Sequence, residues 1–338
     1  MSLRVIIAAL AAVSIPTAVK ADEKGLVEFY SKNNLSIAVG FSAGGNYDLY
    51  ARLIARHLDR HIPGTPRIIV QNVPGAGGRI VMNRAYATGP FDGSLIVLPN
   101  QGVATDQALA DPGVKYDARQ FSWIGSPIVD VNVAWMWHTS NVRSLEDAKK
   151  REVVVGATGP NSPTYYVPRI LNQVLGTQMR VVSGYPGSTE LDRAIESGEL
   201  DGRGTVGWNS LKVTSDWVAT KKAHVIFQIG LTRAPDLSNV RLLQEFATSS
   251  REAQIFEFLA LSPGMGRPFA LPPKVPADRV KAMRAAFGAT MNDPSFLNDA
   301  AKARLDISAV SGEQLQTIID KTLAAPSEVL DVLHAAMK

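Results

Sequence analysis

Twice within the first hundred residues a short apolar run, a glycine-rich loop and a helical period follow one another, and this alternation most constrains what the chain can fold into. Residues 35–39 (Leu-Ser-Ile-Ala-Val) have the length and β-branched content of a buried strand. The loop Gly40-Phe41-Ser42-Ala43-Gly44-Gly45 comes next. Leu49, Leu53, Ile54, Leu58 and Ile62 then recur with a helical period until Pro63-Gly64-Thr65-Pro66 stops it. The unit repeats with a strand at 68–70, a glycine loop at 72–78, a helix at 79–87 and a further strand at 95–98. Strands alternating with helices predict parallel sheet with covered faces.

The alternation continues, with strands expected at 132–137, 153–156, 180–182 and 225–229, and helices at 145–150, 163–175, 190–197, 276–291 and within 313–337. Such a length suggests two domains. No internal repeat or low-complexity linker separates them, so two lobes exchanging the chain by crossovers near Asp130 and Leu231 are expected. The expected division is a leader at 1–21, a first lobe at 22–130 and 232–338, and a second lobe at 131–231.

The leader is read from a basic start ending at Arg4, an apolar stretch at 5–15, and small residues at Val19 and Ala21. That is the pattern of a secretory signal peptide cleaved near Ala21, and the stretch is too short to span a membrane. Cleavage removes Arg4 and Lys20, leaving 33 basic against 31 acidic residues. So even a balance, without a Lys/Arg run, predicts no nucleic-acid partner. The chain has no cysteine, which excludes disulfides and every cysteine-based metal or nucleophile site.

Both glycine loops leave a strand and open a helix. Glycine lets a ligand approach the backbone, and the helix N-terminus behind it presents free N–H groups and partial positive charge. Two such loops at neighbouring strand ends predict a cradle for an anion. Gly40-Phe41-Ser42-Ala43-Gly44 also matches a hydrolase nucleophile elbow, which leaves an exported serine hydrolase with Ser42 as nucleophile as the alternative. Against it, one strand precedes the loop, no His-Gly-Gly segment lies upstream, and His138, His224 and His334 are isolated. Gly202-Arg203-Gly204-Thr205-Val206-Gly207 has dinucleotide-loop spacing, but no convincing strand leads into it. His57 and His61 have metal-ligand spacing on one helix without a third ligand, so no metal is expected. Further along, Gly156-Ala157-Thr158-Gly159-Pro160-Asn161-Ser162-Pro163-Thr164 and Gly184-Tyr185-Pro186-Gly187-Ser188-Thr189 offer uncharged donors that would face the first pair of loops from a second lobe. Trp135, Trp137, Trp208 and Trp217 are read as core rather than as an aromatic pocket.

Phe41-Ser42-Ala43-Gly44-Gly45, Asn72-Val73-Pro74-Gly75-Ala76-Gly77-Gly78, the Asp92-Gly93 turn, Phe121-Ser122-Trp123-Ile124-Gly125 and Gly184-Tyr185-Pro186-Gly187 together resemble the receptors of tripartite tricarboxylate transporters, the Bug receptors. The resemblance covers essentially the whole chain after the leader. It implies an α/β, two-lobed periplasmic binding protein-like fold (type II), each lobe a mainly parallel sheet flanked by helices. It also implies hinge closure on a ligand in the cleft between the lobes. One ligand carboxylate would be held by Ser42, Ala43, Gly44, Gly45, Asn46, Ala76, Gly77 and Gly78. The second lobe would contribute Thr158, Asn161, Ser162, Thr164, Tyr185, Gly187 and Ser188, and Asp201 fits the family's aspartate after its glycine turn. Such a receptor acts in the periplasm without cofactor, metal or bond chemistry, as a monomer. It captures a mono-, di- or tricarboxylate for the membrane subunits of the transporter or for a sensor kinase. Two departures stand out: Asn46-Tyr47-Asp48 follows the first glycine pair, where Tyr47 would narrow the mouth or stack on a ligand, and Pro160, Asn161 and Pro163 stiffen the second-lobe loop.

Overall fold

The computed structural model describes residues 18–158, 162–185, 187–214 and 216–337. Most of the expected leader, 1–17, and the expected ligand residue Asn161 lie outside the described residues. The chain enters as helix α1 (Ala18–Lys32), whose Leu26 and Tyr30 turn into the core; Ala21 lies in its first turn. Strand β1 (Leu35–Val39) leads to α2 (Asn46–Leu58), which buries Tyr50, Leu53, Ile54, His57 and Leu58 along one stripe. β2 (Ile68–Asn72), α3 (Arg79–Thr88) and β3 (Leu95–Leu98) complete the repeated unit. A short helix α4 (Val103–Ala108) and strand β4 (Ser122–Ser126) precede the first crossing at Asp130.

The second sheet begins with β5 (Asn132–Trp137), buried along its whole length. Then come α5 (Leu145–Lys150), capped by Ser144, and β6 (Val153–Ala157). Helix α6 (Pro163–Leu175) ends on left-handed Gly176. It is followed by β7 (Met179–Ser183), α7 (Ser188–Glu196), β8 (Gly202–Gly207), α8 (Trp208–Thr214) and β9 (Ala223–Ile229). The return passes through α9 (Ser250–Gly264), β10 (Phe269–Leu271), α10 (Ala277–Met291), α11 (Pro294–Lys302) and β11 (Val310–Ser311). It ends with α12 (Gly312–Leu323), opened by a Ser311–Gln314 capping box, and α13 (Ser327–Met337).

The first sheet has the order β11-β4-β10-β3-β1-β2 and the second β7-β6-β8-β5-β9. The two-lobed α/β architecture is the expected one, with mixed sheets. β1 pairs β2 and β3 in parallel, and β6 pairs β7 and β8 in parallel. β10 and β5 run antiparallel to their neighbours because each enters its sheet after a crossing rather than after a returning helix. Gly202–Gly207, into which no strand was expected to lead, is itself the strand β8.

The division of the last hundred residues is finer than expected. β10 and β11 belong to the first sheet, α10 and α12 pack on its β4, and α11 packs on α2. Helix α9, through Phe256 and Leu259, joins the core beneath the second sheet. α13 turns to the second lobe, packing on α6 and α9 through Val329, Val332 and Leu333, while His334 bonds the Leu109 carbonyl at 2.8 Å. The four tryptophans Trp135, Trp137, Trp208 and Trp217 are buried in one cluster on the other face of the second sheet.

Candidate functional site

Between the two sheets lies a cleft of about 600 Å³, within the size range of small-ligand sites. Its first wall is built from the loops after β1, β2 and β3, at the carboxyl ends of parallel strands. The loops after β1 and β2 touch each other: a Cβ on Gly40 would lie 2.7 Å from the Gly78 Cα. In the second loop Gly75, Ala76, Gly77 and Gly78 all have positive φ (141°, 46°, 64° and 87°). Ala76 is the non-glycine among them, a conformation that costs an alanine on the order of 1 kcal/mol. Asn100, after β3, donates to the Gly77 carbonyl and fixes that loop from behind.

Ser42, Ala76 and Gly77 line this wall, whereas Ala43, Gly44, Gly45, Asn46 and Gly78 do not. The Gly44 N–H donates to Asp48 Oδ2 at 2.8 Å, and the same carboxylate receives Arg52 Nε (2.9 Å) and Asn72 Nδ2 (2.9 Å). These bonds hold the Asp48 carboxyl below its ordinary range against the opposing effect of burial. That part of the loop caps α2 rather than facing the cleft. Asn46 is an interlobe tie: its Oδ1 accepts from Arg267 Nε at 2.7 Å, and its Nδ2 donates to Asn209 Oδ1 at 3.3 Å. Tyr47 stacks on Phe41 with centroids 4.3 Å apart, lies 4.6 Å from the Arg267 guanidinium, and accepts from the Gln101 N–H.

From the second lobe, Thr158, Ser162, Thr164, Gly187 and Ser188 line the cleft. The Thr158 N–H donates to Thr164 Oγ1 at 3.1 Å, and Ser162 and Thr164 share a hydrogen bond, so the loop is braced by its own hydroxyls. Tyr185 and Asp201 stand outside. The Tyr185 hydroxyl binds Glu199, and burial with this carboxylate pushes its pKa up to about 12. Asp201 Oδ2 accepts the Val154 N–H at 2.7 Å, which fixes the start of β6.

Three arginines absent from the expected set line the cleft: Arg79, Arg203 and Arg267. Arg79 opens α3 directly behind the second glycine loop and pairs with Asp111 at 2.5 Å. Arg267, 2% exposed, donates to Asp130 Oδ2 (2.9 Å), Asn46 Oδ1 and Ser210 Oγ (3.3 Å), binding both lobes at the first crossing. Arg203 stands in the glycine-rich β8 that the dinucleotide spacing had marked. A charged residue alternating with small ones was the available signal there; no comparable mark singles out Arg79 or Arg267. Among the described lining residues the acid is Asp106, 8% exposed, whose carboxyl burial pushes up to about 7.

Chemically the cleft offers cations, hydroxyls and backbone amides. No histidine is among the described lining residues, so Ser42 has no imidazole beside it. His57 and His61 bond Asp299 (3.2 Å) and Asp293 (3.0 Å), tying α2 to α11. Among the described residues no group of three or more His, Asp or Glu is arranged to hold a metal, and no helix is long and apolar enough to cross a membrane.

No family model matches the sequence, and no curated protein matches it. Solved structures do. A TctC solute-binding protein from Polaromonas matches with a TM-score of 0.66 and 17% identity, over 90% of this chain and 99% of that one. The periplasmic binding protein BugD matches with a TM-score of 0.67 and 19% identity, over 90% and 98% of the two chains. MatC from Rhodopseudomonas palustris, with bound malate, matches with a TM-score of 0.66 and 17% identity, over 89% and 99%. The chain therefore has the fold of the TctC and Bug-type solute-binding proteins.

Proposed function

We propose that the protein is a periplasmic receptor that captures a small organic carboxylate in the interlobe cleft and delivers it to the membrane subunits of a tripartite tricarboxylate-type transporter. The carrying observation is the cleft lining: three arginines, loop amides and hydroxyls, with a largely buried acid among them. A buried carboxylate needs donors and opposite charge to offset its desolvation, and this wall supplies both. MatC with malate and a Rhodopseudomonas palustris protein with adipate carry small dicarboxylates on the same fold, which supports the class of ligand. Binding needs no metal, cofactor or covalent step. The lobes would close by bending where the chain passes between them, at Asp130 and again between α9 and β10.

The test is a thermal-shift and calorimetric screen of mono-, di- and tricarboxylates with their amides and esters as controls. A true ligand at a hundred times its Kd stabilises by about 2.7 kcal/mol. Acids that raise the melting temperature beside inert esters are the expected result. No acid binding, together with ester hydrolysis abolished by Ser42→Ala, would replace the receptor with the hydrolase.

A further inference from the structure

The second-lobe wall holds a charged group whose bonding within the protein is incomplete. Arg203 is 5% exposed on β8, yet its guanidinium makes two long contacts, Nη1 to Asp192 Oδ1 at 3.4 Å and Nη2 to Ser188 Oγ at 3.3 Å. Its Nε has no hydrogen-bond partner. Thr205, two residues along the same strand and so on the same face, is 1% exposed, and its Oγ1 is likewise without a partner. Both residues line the cleft, beside Ser188 at the first position of the nine-residue α7. That helix starts behind Gly187, which supplies no side-chain cap.

We propose that Arg203, Thr205 and the Ser188 end of α7 form a second anionic subsite across the cleft from the glycine loops, so that the ligand is a dianion with a carboxylate towards each lobe. The inference rests on the carboxylate-receptor reading above. The Nε–Nη2 edge is the side of a guanidinium that a carboxylate meets with two parallel hydrogen bonds. Asp192 occupies the other end, through one contact. Nη2 meets a neutral hydroxyl and Nε nothing, so a carboxylate on this edge completes the set, with Thr205 and Ser188 as flanking hydroxyl donors. Burial lowers the Arg203 pKa and raises that of Asp192, the directions expected when neither charge is fully compensated by the other. A neutral ligand tail would leave the Nε edge desolvated and unpaired, so discrimination against monocarboxylates follows from the same geometry.

Isothermal titration of matched pairs tests this: succinate against butyrate, adipate against hexanoate, and malate and citrate as hydroxylated acids, on the wild-type protein and on Arg203→Gln. The expected result is a preference for the diacid of each pair of about 10- to 100-fold. Arg203→Gln should abolish that preference, weakening the diacid while the monoacid, no longer opposed by an unpaired guanidinium edge, binds no worse than to the wild type. Thr205→Val, close in volume, should weaken the diacid by several-fold, and it carries the test if Arg203→Gln does not fold. Equal affinities within each wild-type pair, or a loss shared by monoacid and diacid in either variant, would overturn the second subsite while leaving the carboxylate receptor standing. Binding of none of these acids to the wild type would overturn both.

Discussion

Asp106→Asn separates the energetic cost of a cleft carboxyl from everything else in the protein. Asp106 lies on α4, 8% exposed, with Arg79 from α3, Asp111, Tyr116 and Tyr166 from α6 as the titratable groups around it. Burial is the main reason its carboxyl is raised from 3.8 to about 7; Arg79 pulls it down and Asp111 pushes it up. Between pH 4 and 7 the folded protein therefore holds a proton that the unfolded chain has released. Stability falls as pH rises through that window and levels off above it. Each pH unit is worth about 1.4 kcal/mol, so the full cost above pH 7 is about 4 kcal/mol, and about 3 kcal/mol of it accrues above pH 5. Asparagine has the shape of the protonated acid and does not titrate. Denaturation of ligand-free wild type and Asp106→Asn at pH 5, 6, 7 and 8, followed by circular dichroism, should show the variant gaining on the wild type by about 3 kcal/mol from pH 5 to 8. A difference that stays constant with pH would refute the reasoning, and one that narrows would reverse its sign.

Other positions give sharper structural tests. Gly40→Ala places a methyl 2.7 Å from the Gly78 Cα and 3.2 Å from Val81 Cγ1, which forces the two loops apart; a loss of about 1–3 kcal/mol in denaturation, with weaker binding of every acid ligand alike, is expected. Asp130→Ala leaves the Arg267 guanidinium buried without its counter-ion, and a loss of about 3–5 kcal/mol, insensitive to added salt, should appear in the same assay. Leu333→Ala on α13 removes a fully buried side chain and should cost about 2–5 kcal/mol, with amide exchange accelerating in α6 rather than in α2.

What the sequence disclosed follows from which physical signals are local. β1, β3 and β5 read directly because each is a short apolar run buried by helices or by neighbouring strands. α2 and α6 read from their stripes. β8 did not, since Gly-Arg-Gly-Thr-Val-Gly has no apolar pattern and becomes a strand through its pairing with β5 and β6. α9 buries almost every residue from Ile255 onwards, so it lacks the polar face that marks a helix. At the cleft, glycine content located both loops, but it could not reveal that the Gly44 N–H is spent on Asp48 or that Asn46 serves Arg267. The burial of Arg203 and Arg267 arises from contacts spanning 15 and 221 residues of chain, to Ser188 and Asn46, which no local pattern carries.

The docking of α13 on α6 has a consequence for the order in which the molecule can be assembled. A chain made and threaded from its N-terminus presents the whole of 131–231 well before residues 327–337 arrive, so α6 keeps an uncovered apolar flank until then. Contacts this distant in sequence form late and slowly. The last eleven described residues thus decide when the α6 flank of the second lobe is closed, so a chain truncated before residue 327 should expose that flank and bind a hydrophobic dye.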